Sequence, residues 1–266
     1  MLKNVFLKTL RDQRRSLLFW GIGLVMLAFY ITLFYPTVRN LPDLNKILEQ
    51  APKGIAALLG GQIPDYTSPT GYLNMELFFM MLPILLLFYT IGFGSGAIAG
   101  EEEKGTLDFL LSNPVPRWRV VTEKFGVMVT GVLALSAIFV VTLMIGATAV
   151  DMKIGFGRLL AATFSTVLLA LDFGTLALFL GCLRGNRGMS LGISAALAVA
   201  TYLLNSLGAM VETLKHYRFL SPFYHHVDPN PLLNGLSLDH TLVLAGVVVV
   251  LFLASIPVFN RRDVGV

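Results

Sequence analysis

Apolar residues in this chain run in long unbroken blocks instead of alternating with polar ones. Six blocks stand out: Leu17–Tyr35, Leu77–Ala99, Phe125–Val150, Leu159–Leu183, Met189–Val211 and Thr241–Phe259. A helix needs roughly 20 apolar residues to cross a hydrocarbon core about 30 Å thick. Each block therefore predicts one membrane-spanning helix, and Asp172 is the only charged residue within them. The expected fold class is an all-α integral membrane protein: a six-helix bundle forming a single transmembrane domain over residues 1–266. The first block is longer than the apolar region of a signal peptide, and no small-x-small cleavage site follows it, so it reads as a permanent anchor.

The polar segments between the blocks carry a second layer of pattern. Ahead of the first block, Leu2, Val5, Phe6, Thr9 and Leu10 recur at helical spacing, while Lys3, Asn4, Lys8, Arg11, Asp12 and Arg15 point elsewhere. This predicts an amphipathic connecting helix over residues 1–16, lying in the headgroup plane; a basic tail is the alternative. Residues 36–76 are rich in proline and glycine and read as loop, with short helices over Leu44–Leu59. Residues 212–240 hold Tyr217, Phe219, Phe223 and Tyr224, which suit a membrane–water interface, and a re-entrant pair of short helices.

The segment between the second and third blocks carries the densest signal. Thr106 suits a helix N-cap, Asp108 sits in the favourable first turn, and Pro114 ends the helix. Leu107, Leu110 and Leu111 share one face of this short amphipathic helix. Such a face either docks into a groove on a partner or packs beneath its own bundle, and the residues leave both open.

Composition agrees with lipid as the main solvent. Apolar residues make up 55% of the chain and charged residues 14%, against about a quarter charged in a soluble domain. The net charge is +4, with basic residues clustered at the block ends. Anionic headgroups are the better partner for them, and no nucleic-acid partner is expected. With the N-terminus inside, thirteen of the 20 Lys and Arg residues fall on cytoplasmic segments, five of them before the first span. The positive-inside rule then places both termini in the cytoplasm. Cys182 is the sole cysteine, which rules out an intrachain disulfide.

Catalytic signatures are missing. No Walker loop is present, so no nucleotide is expected on this chain by that device. Gly92, Gly96 and Gly100 lie four apart inside a span, the spacing of close helix packing. His216, His225, His226 and His240 cluster near Asp228 and Asp239 without any metal-ligand spacing, so no metal is expected. There is no Gly-x-Ser-x-Gly elbow. Asp172 is the exception inside the bundle. A charge at mid-span is expensive and is functional by default, as a substrate-path or gating residue. Its bland reading is a packing carboxyl hydrogen-bonded to Asn205 or to a serine.

The run Gly100-Glu-Glu-Glu-Lys-Gly-Thr-Leu-Asp-Phe-Leu-Leu-Ser-Asn-Pro-Val-Pro-Arg117 resembles the corresponding segment of ABC-2 type permeases, the membrane subunits of prokaryotic ABC exporters. The matching residues are Glu102, Glu103, Gly105, Thr106, Leu107, Asp108, Leu110, Leu111, Pro114 and Arg117. The endings Ser221–Gly235 and Phe259–Val264 are similar too. The resemblance implies that residues 106–112 form a coupling helix for a separate ATPase, with Arg184 and Arg187 as a second contact. It implies a second permease copy, identical or related, in the prokaryotic cytoplasmic membrane. It also implies that ATP and magnesium sit on the partner, with no cofactor bound here. A membrane scaffold of an envelope complex and a membrane-embedded enzyme are the rival readings.

Overall fold

The structure, a computed structural model, describes residues 4–41, 65–107 and 115–262. Among these residues all regular structure is helical. Six helical stretches are long and apolar enough to span a membrane. The first is α1 (Val5–Arg39). The second is compound: α2 (Pro69–Leu73), a π-helical segment (Asn74–Met81) and α3 (Leu82–Ala97). A short α4 (Ala99–Glu103) follows. Then come α5 (Arg117–Ala149), α6 (Phe156–Arg184) and α7 (Arg187–Gly208). The short α8 (Glu212–Lys215), α9 (Pro222–Val227) and α10 (Pro231–Asn234) lead into α11 (Leu238–Arg261). Helices cover all six predicted blocks, and the first three begin well ahead of them, at Val5, Pro69 and Arg117 against the predicted Leu17, Leu77 and Phe125, while α7 stops at Gly208, short of the predicted Val211.

The interfacial helix expected over residues 1–16 is not a separate element. From Val5 the chain runs as one helix to Arg39, about 52 Å long at 1.5 Å per residue. No glycine or proline breaks the segment before Leu17, and its apolar face finds protein instead of lipid. Val5, Phe6 and Leu10 pack on the bundle core, and the Phe6 N–H donates to Glu123 Oε2 at 2.7 Å.

Helix α6 forms the middle of the bundle and packs against α3, α11, α7 and α5, while α1 lies along α5. The main core joins Leu24 and Ile31 of α1, Leu86 of α3, Val132 and Phe139 of α5, Leu178 of α6 and Phe259 of α11. Helices α1, α7 and α11 leave large apolar side chains outward, among them Phe19, Met26, Leu197, Val199, Leu242 and Val250. Exposed apolar surface of this extent marks contact with lipid or with a membrane partner.

Close packing of α3 on α6 comes from a glycine pair that the spacing argument missed. A Cβ on Gly94 would collide with the carbonyl oxygen of Gly174, and one on Gly174 would lie 2.6 Å from Thr90 Cβ. Thr90 Oγ1 then donates to the Ala170 carbonyl at 2.7 Å. The helix-packing role expected for Gly92, Gly96 and Gly100 is corrected accordingly. A Cβ on Gly92 would meet nothing within 4 Å, and on Gly96 or Gly100 only the Arg187 side chain. Gly92 and Gly96 sit on the face of α3 opposite its tight contact, and Gly100 lies in α4.

The π-helical segment has a chemical reason. The Leu82 N–H bonds to the Leu77 carbonyl, five residues back, and residue 83 is proline, without an N–H. The Phe78 carbonyl is thus denied both of its helical donors. His226, on α9, supplies the missing hydrogen bond: its Nε2 lies 3.0 Å from the Phe78 oxygen, and its Nδ1 lies 2.9 Å from Ser165 Oγ of α6. Nε2–H therefore donates to Phe78, and Nδ1 accepts from the Ser165 hydroxyl. Where the sequence suggested a pair of short helices, the 212–240 connection holds three short α-helices, α8, α9 and α10, with Phe223, His226, Pro231 and Leu232 buried in the last two.

Candidate functional site

The glutamate run that opens the motif is a junction of helix ends. Just past the end of α4 stands Gly105, whose φ of +65° only glycine adopts easily. The Thr106 N–H bonds to the Glu101 carbonyl, and the Gly105 N–H to the Glu102 carbonyl, both at 2.9 Å. This Schellman turn closes α4, whose three consecutive carboxylates point toward three different helices. Glu101 Oε1 lies 2.8 Å from Lys124 Nζ on α5. Glu102 pairs with the guanidinium of Arg262, just past the end of α11. Glu103 Oε1 accepts the Arg187 backbone N–H, at the start of α7, at 2.8 Å.

Arg262 reaches a fourth helix. Its Nη1 lies 3.2 Å from the Cys182 carbonyl at the end of α6, and 3.3 Å from the Gly181 carbonyl, which also accepts the Gly185 N–H at 3.0 Å. Gly185 follows at φ +65°, and a Cβ there would collide with both Arg262 and Glu102. Arg117 seals α11 from the other side. Its Nη1 donates to the carbonyls of Phe259 and Arg262, and its guanidinium stacks 5.7 Å from the centre of the Phe259 ring.

Lys124 is only 4% exposed, so its charge requires the Glu101 partner. Burial by itself raises the Glu101 pKa. The Lys124 ammonium, the hydrogen bond from Thr106 and the field of Lys8 outweigh it and hold the carboxyl below its ordinary 4.5.

The structure brings Glu102, Glu103, Gly105, Thr106, Arg117 and Arg187 of the predicted set to this junction. Thr106 differs from its predicted role in that its hydroxyl turns back to Glu101, 2.7 Å from Oε2. Leu107 also differs. It is 1% exposed and belongs to the bundle core, so it is not part of a free docking face. Asp108, Leu110, Leu111 and Pro114 lie outside the described residues. Arg184 is exposed in the last turn of α6.

Asp172 is 2% exposed, and neither carboxylate oxygen has a hydrogen-bond partner. It is sealed inside one chain and lines none of the described cavities. The pairing with Asn205 is not formed: Asn205 Oδ1 accepts from Arg218 Nη2 at 3.2 Å instead.

Sequence reasoning passed over Lys124 and Arg262 as positive-inside markers, and Glu101 as a neighbour of the motif. The signal available was opposite charge facing across block ends: Glu101–Glu103 after the second block, Lys124 before the third, Arg262 after the sixth.

Beside the junction lies a cavity of about 460 Å3, bounded by the first turns of α1, the glycine face of α3, α4 and the start of α7. Its polar lining includes Lys8, Asp12, Glu101, Lys104, Lys124 and Arg187.

Residues 3–264 match the family described as ABC-2 family transporter protein. A curated relative, "Uncharacterized protein YhcI" of Bacillus subtilis (strain 168), is 25% identical over 204 residues, which are 68% of this chain. The matched region spans 65% of that relative's length.

Proposed function

Because the chain belongs to the ABC-2 transporter family, in which it is a multi-pass permease subunit, we propose that it works in an exporter driven by a separate ABC ATPase. The ATPase binds ATP and magnesium, and two permease chains, identical or related, complete the assembly. The substrate, a drug, antibiotic, peptide or lipid-like molecule, leaves across the prokaryotic cytoplasmic membrane, with both permease termini inside.

The observation that supports this reading is the carboxylate junction. Residues 108–114 follow Glu101–Glu103 in the chain after four intervening residues, and those carboxylates hold α5 at Lys124, the start of α7 and, through Arg262, the ends of α11 and α6. A push on residues 108–114 by a closing ATPase is thereby delivered to four spans at once. Two-state tilting of such a bundle is how a local contact becomes a change of access. Arg184 and Arg187, at the α6–α7 turn, supply the second contact.

Leu110 and Leu111 are the proposed anchors in the ATPase groove. Burying a leucine contributes about 1.5–3 kcal/mol, so losing two weakens association a hundredfold or more. The test is co-purification in detergent of the ATPase with wild type and with the Leu110→Asp, Leu111→Asp double variant. Association that survives the double change removes residues 108–114 as the coupling contact.

A further inference from the structure

The cavity between α1, α3 and α7 has a charge balance that the coupling reading does not use. Glu101 is satisfied by Lys124 at 2.8 Å and by Thr106. Among the described residues, the ammonium groups of Lys8 and Lys104 and the guanidinium of Arg187 form no ion pair, and Asp12 is the single unpaired carboxylate in the cavity lining, with Glu103 outside it on the Arg187 N–H. Three cations against one carboxylate leave an excess of positive charge in a concave site of about 460 Å3.

The lining is graded. Charge collects at the mouth, on Lys8, Lys104 and Arg187. The wall running into the membrane is Gly92, Phe93, Gly96 and Ala97. The glycine face is bare: a Cβ on Gly92 would touch nothing within 4 Å, and those on Gly96 and Gly100 would touch only Arg187, at 3.6 and 3.5 Å. Arg187 therefore lies across the top of this slot. Its backbone is held there by Glu103 Oε1 at 2.8 Å. A forked guanidinium flanked by two ammonium groups matches the several acceptor oxygens of a phosphate, and the open space over Gly92 and Gly96, bordered by Phe93 and Ala97, accepts an alkyl chain.

We propose that this cavity seats the phosphate-bearing headgroup of a membrane amphiphile, with its acyl chain running along the Gly92–Gly96 face of α3. Zwitterionic choline lipids fit less well, because their cationic end meets three unpaired cations and only Asp12. The inference rests on the permease reading solely for placing this end of the bundle at a membrane surface.

The test uses the isolated full-length chain in neutral detergent, without ATPase or nucleotide, so failure to bind leaves the transport reading standing. Native mass spectrometry follows retention of phosphatidylglycerol, phosphatidylcholine and inorganic phosphate. Wild type retains phosphatidylglycerol at least about tenfold better than phosphatidylcholine. The Lys8→Gln, Arg187→Gln double variant loses that preference. Its Tm and its size-exclusion profile serve as folding controls, and Lys8→Gln alone replaces it if the pair fails to fold. Gly92→Leu, at a position where a Cβ meets nothing within 4 Å, keeps every charge but fills the slot, and it lowers lipid retention while sparing inorganic phosphate. Equal retention of the two lipids by wild type, or wild-type selectivity in the charge variants, overturns the proposal. Full competition by inorganic phosphate together with no effect of Gly92→Leu overturns the amphiphile assignment and leaves a free-anion site.

Discussion

Lys124 Nζ and Glu101 Oε1 lie 2.8 Å apart, joining two helices that enter the membrane separately. The lysine side chain is almost fully enclosed and the glutamate about one-fifth exposed. Removing one member of such a pair strands the other, which costs about 3–5 kcal/mol when fully buried and less with partial access to water. Lys124→Ala is expected to destabilise the chain by roughly 2–3 kcal/mol, read as a drop in Tm in detergent. Lys124→Met with Glu101→Gln recovers much of the loss. A double variant as unstable as the single one would show that packing, not charge, dominates. The pH dependence follows from the lowered Glu101 pKa. The pair contributes fully above the ordinary value of 4.5 and is lost as pH falls through the depressed folded value.

His226 gives an acid limit at higher pH. Desolvation, opposed only by the hydrogen bond to Phe78, lowers its pKa from 6.5 to about 4. The native state keeps the ring neutral while the unfolded state takes up a proton, so stability is intact above pH 6.5 and falls as pH drops toward 4. A shift of this size amounts to roughly 3 kcal/mol at the acid end. His226→Gln retains a donor for the Phe78 carbonyl and removes the titration. Its thermal stability should vary less than wild type between pH 6.5 and 4; equal slopes would place the acid sensitivity elsewhere.

Leu107 and Leu110 should separate packing from coupling. Leu107 sits in the core, and its truncation to alanine is expected to cost about 2–5 kcal/mol of stability. Leu110→Asp should leave Tm near wild type and weaken ATPase association. Thermal unfolding and pull-down on the same preparations decide it. A stable Leu107→Ala that loses the ATPase would return Leu107 to the docking face.

The α3–α6 contact has no room for a side chain at either glycine. Gly94→Ala is expected to destabilise by about 1–3 kcal/mol through overpacking, whereas Gly92→Ala should be neutral or slightly stabilising. Paired Tm measurements check the order, and a reversal would move the tight contact to the Gly92 face.

Topology is tested by reporter fusions at Lys53 and Val266. The proposed arrangement puts them on opposite sides of the membrane. Signals from the same side would end the six-span orientation.

Six helices and their positions were legible in the sequence because crossing a membrane depends on one local and additive property, the apolar content of about 20 successive residues. The motif after the second block was legible for a similar reason: its residues are contiguous. What only tertiary structure decided is pairwise and distant. Nothing in a hydropathy profile distinguishes α6, which is enclosed, from α7, which faces outward, since lipid and protein interior are equally apolar. Regular spacing singled out Gly92, Gly96 and Gly100. The glycine that meets another backbone is Gly94, because contact depends on where Gly174 lies across the bundle. Leu107 has the same hydrophobicity as Leu110, and only the Schellman turn at Gly105 directs it inward. His226 serves Phe78 from 148 residues away, a pairing made necessary by the missing N–H of Pro83 and made possible only by the fold.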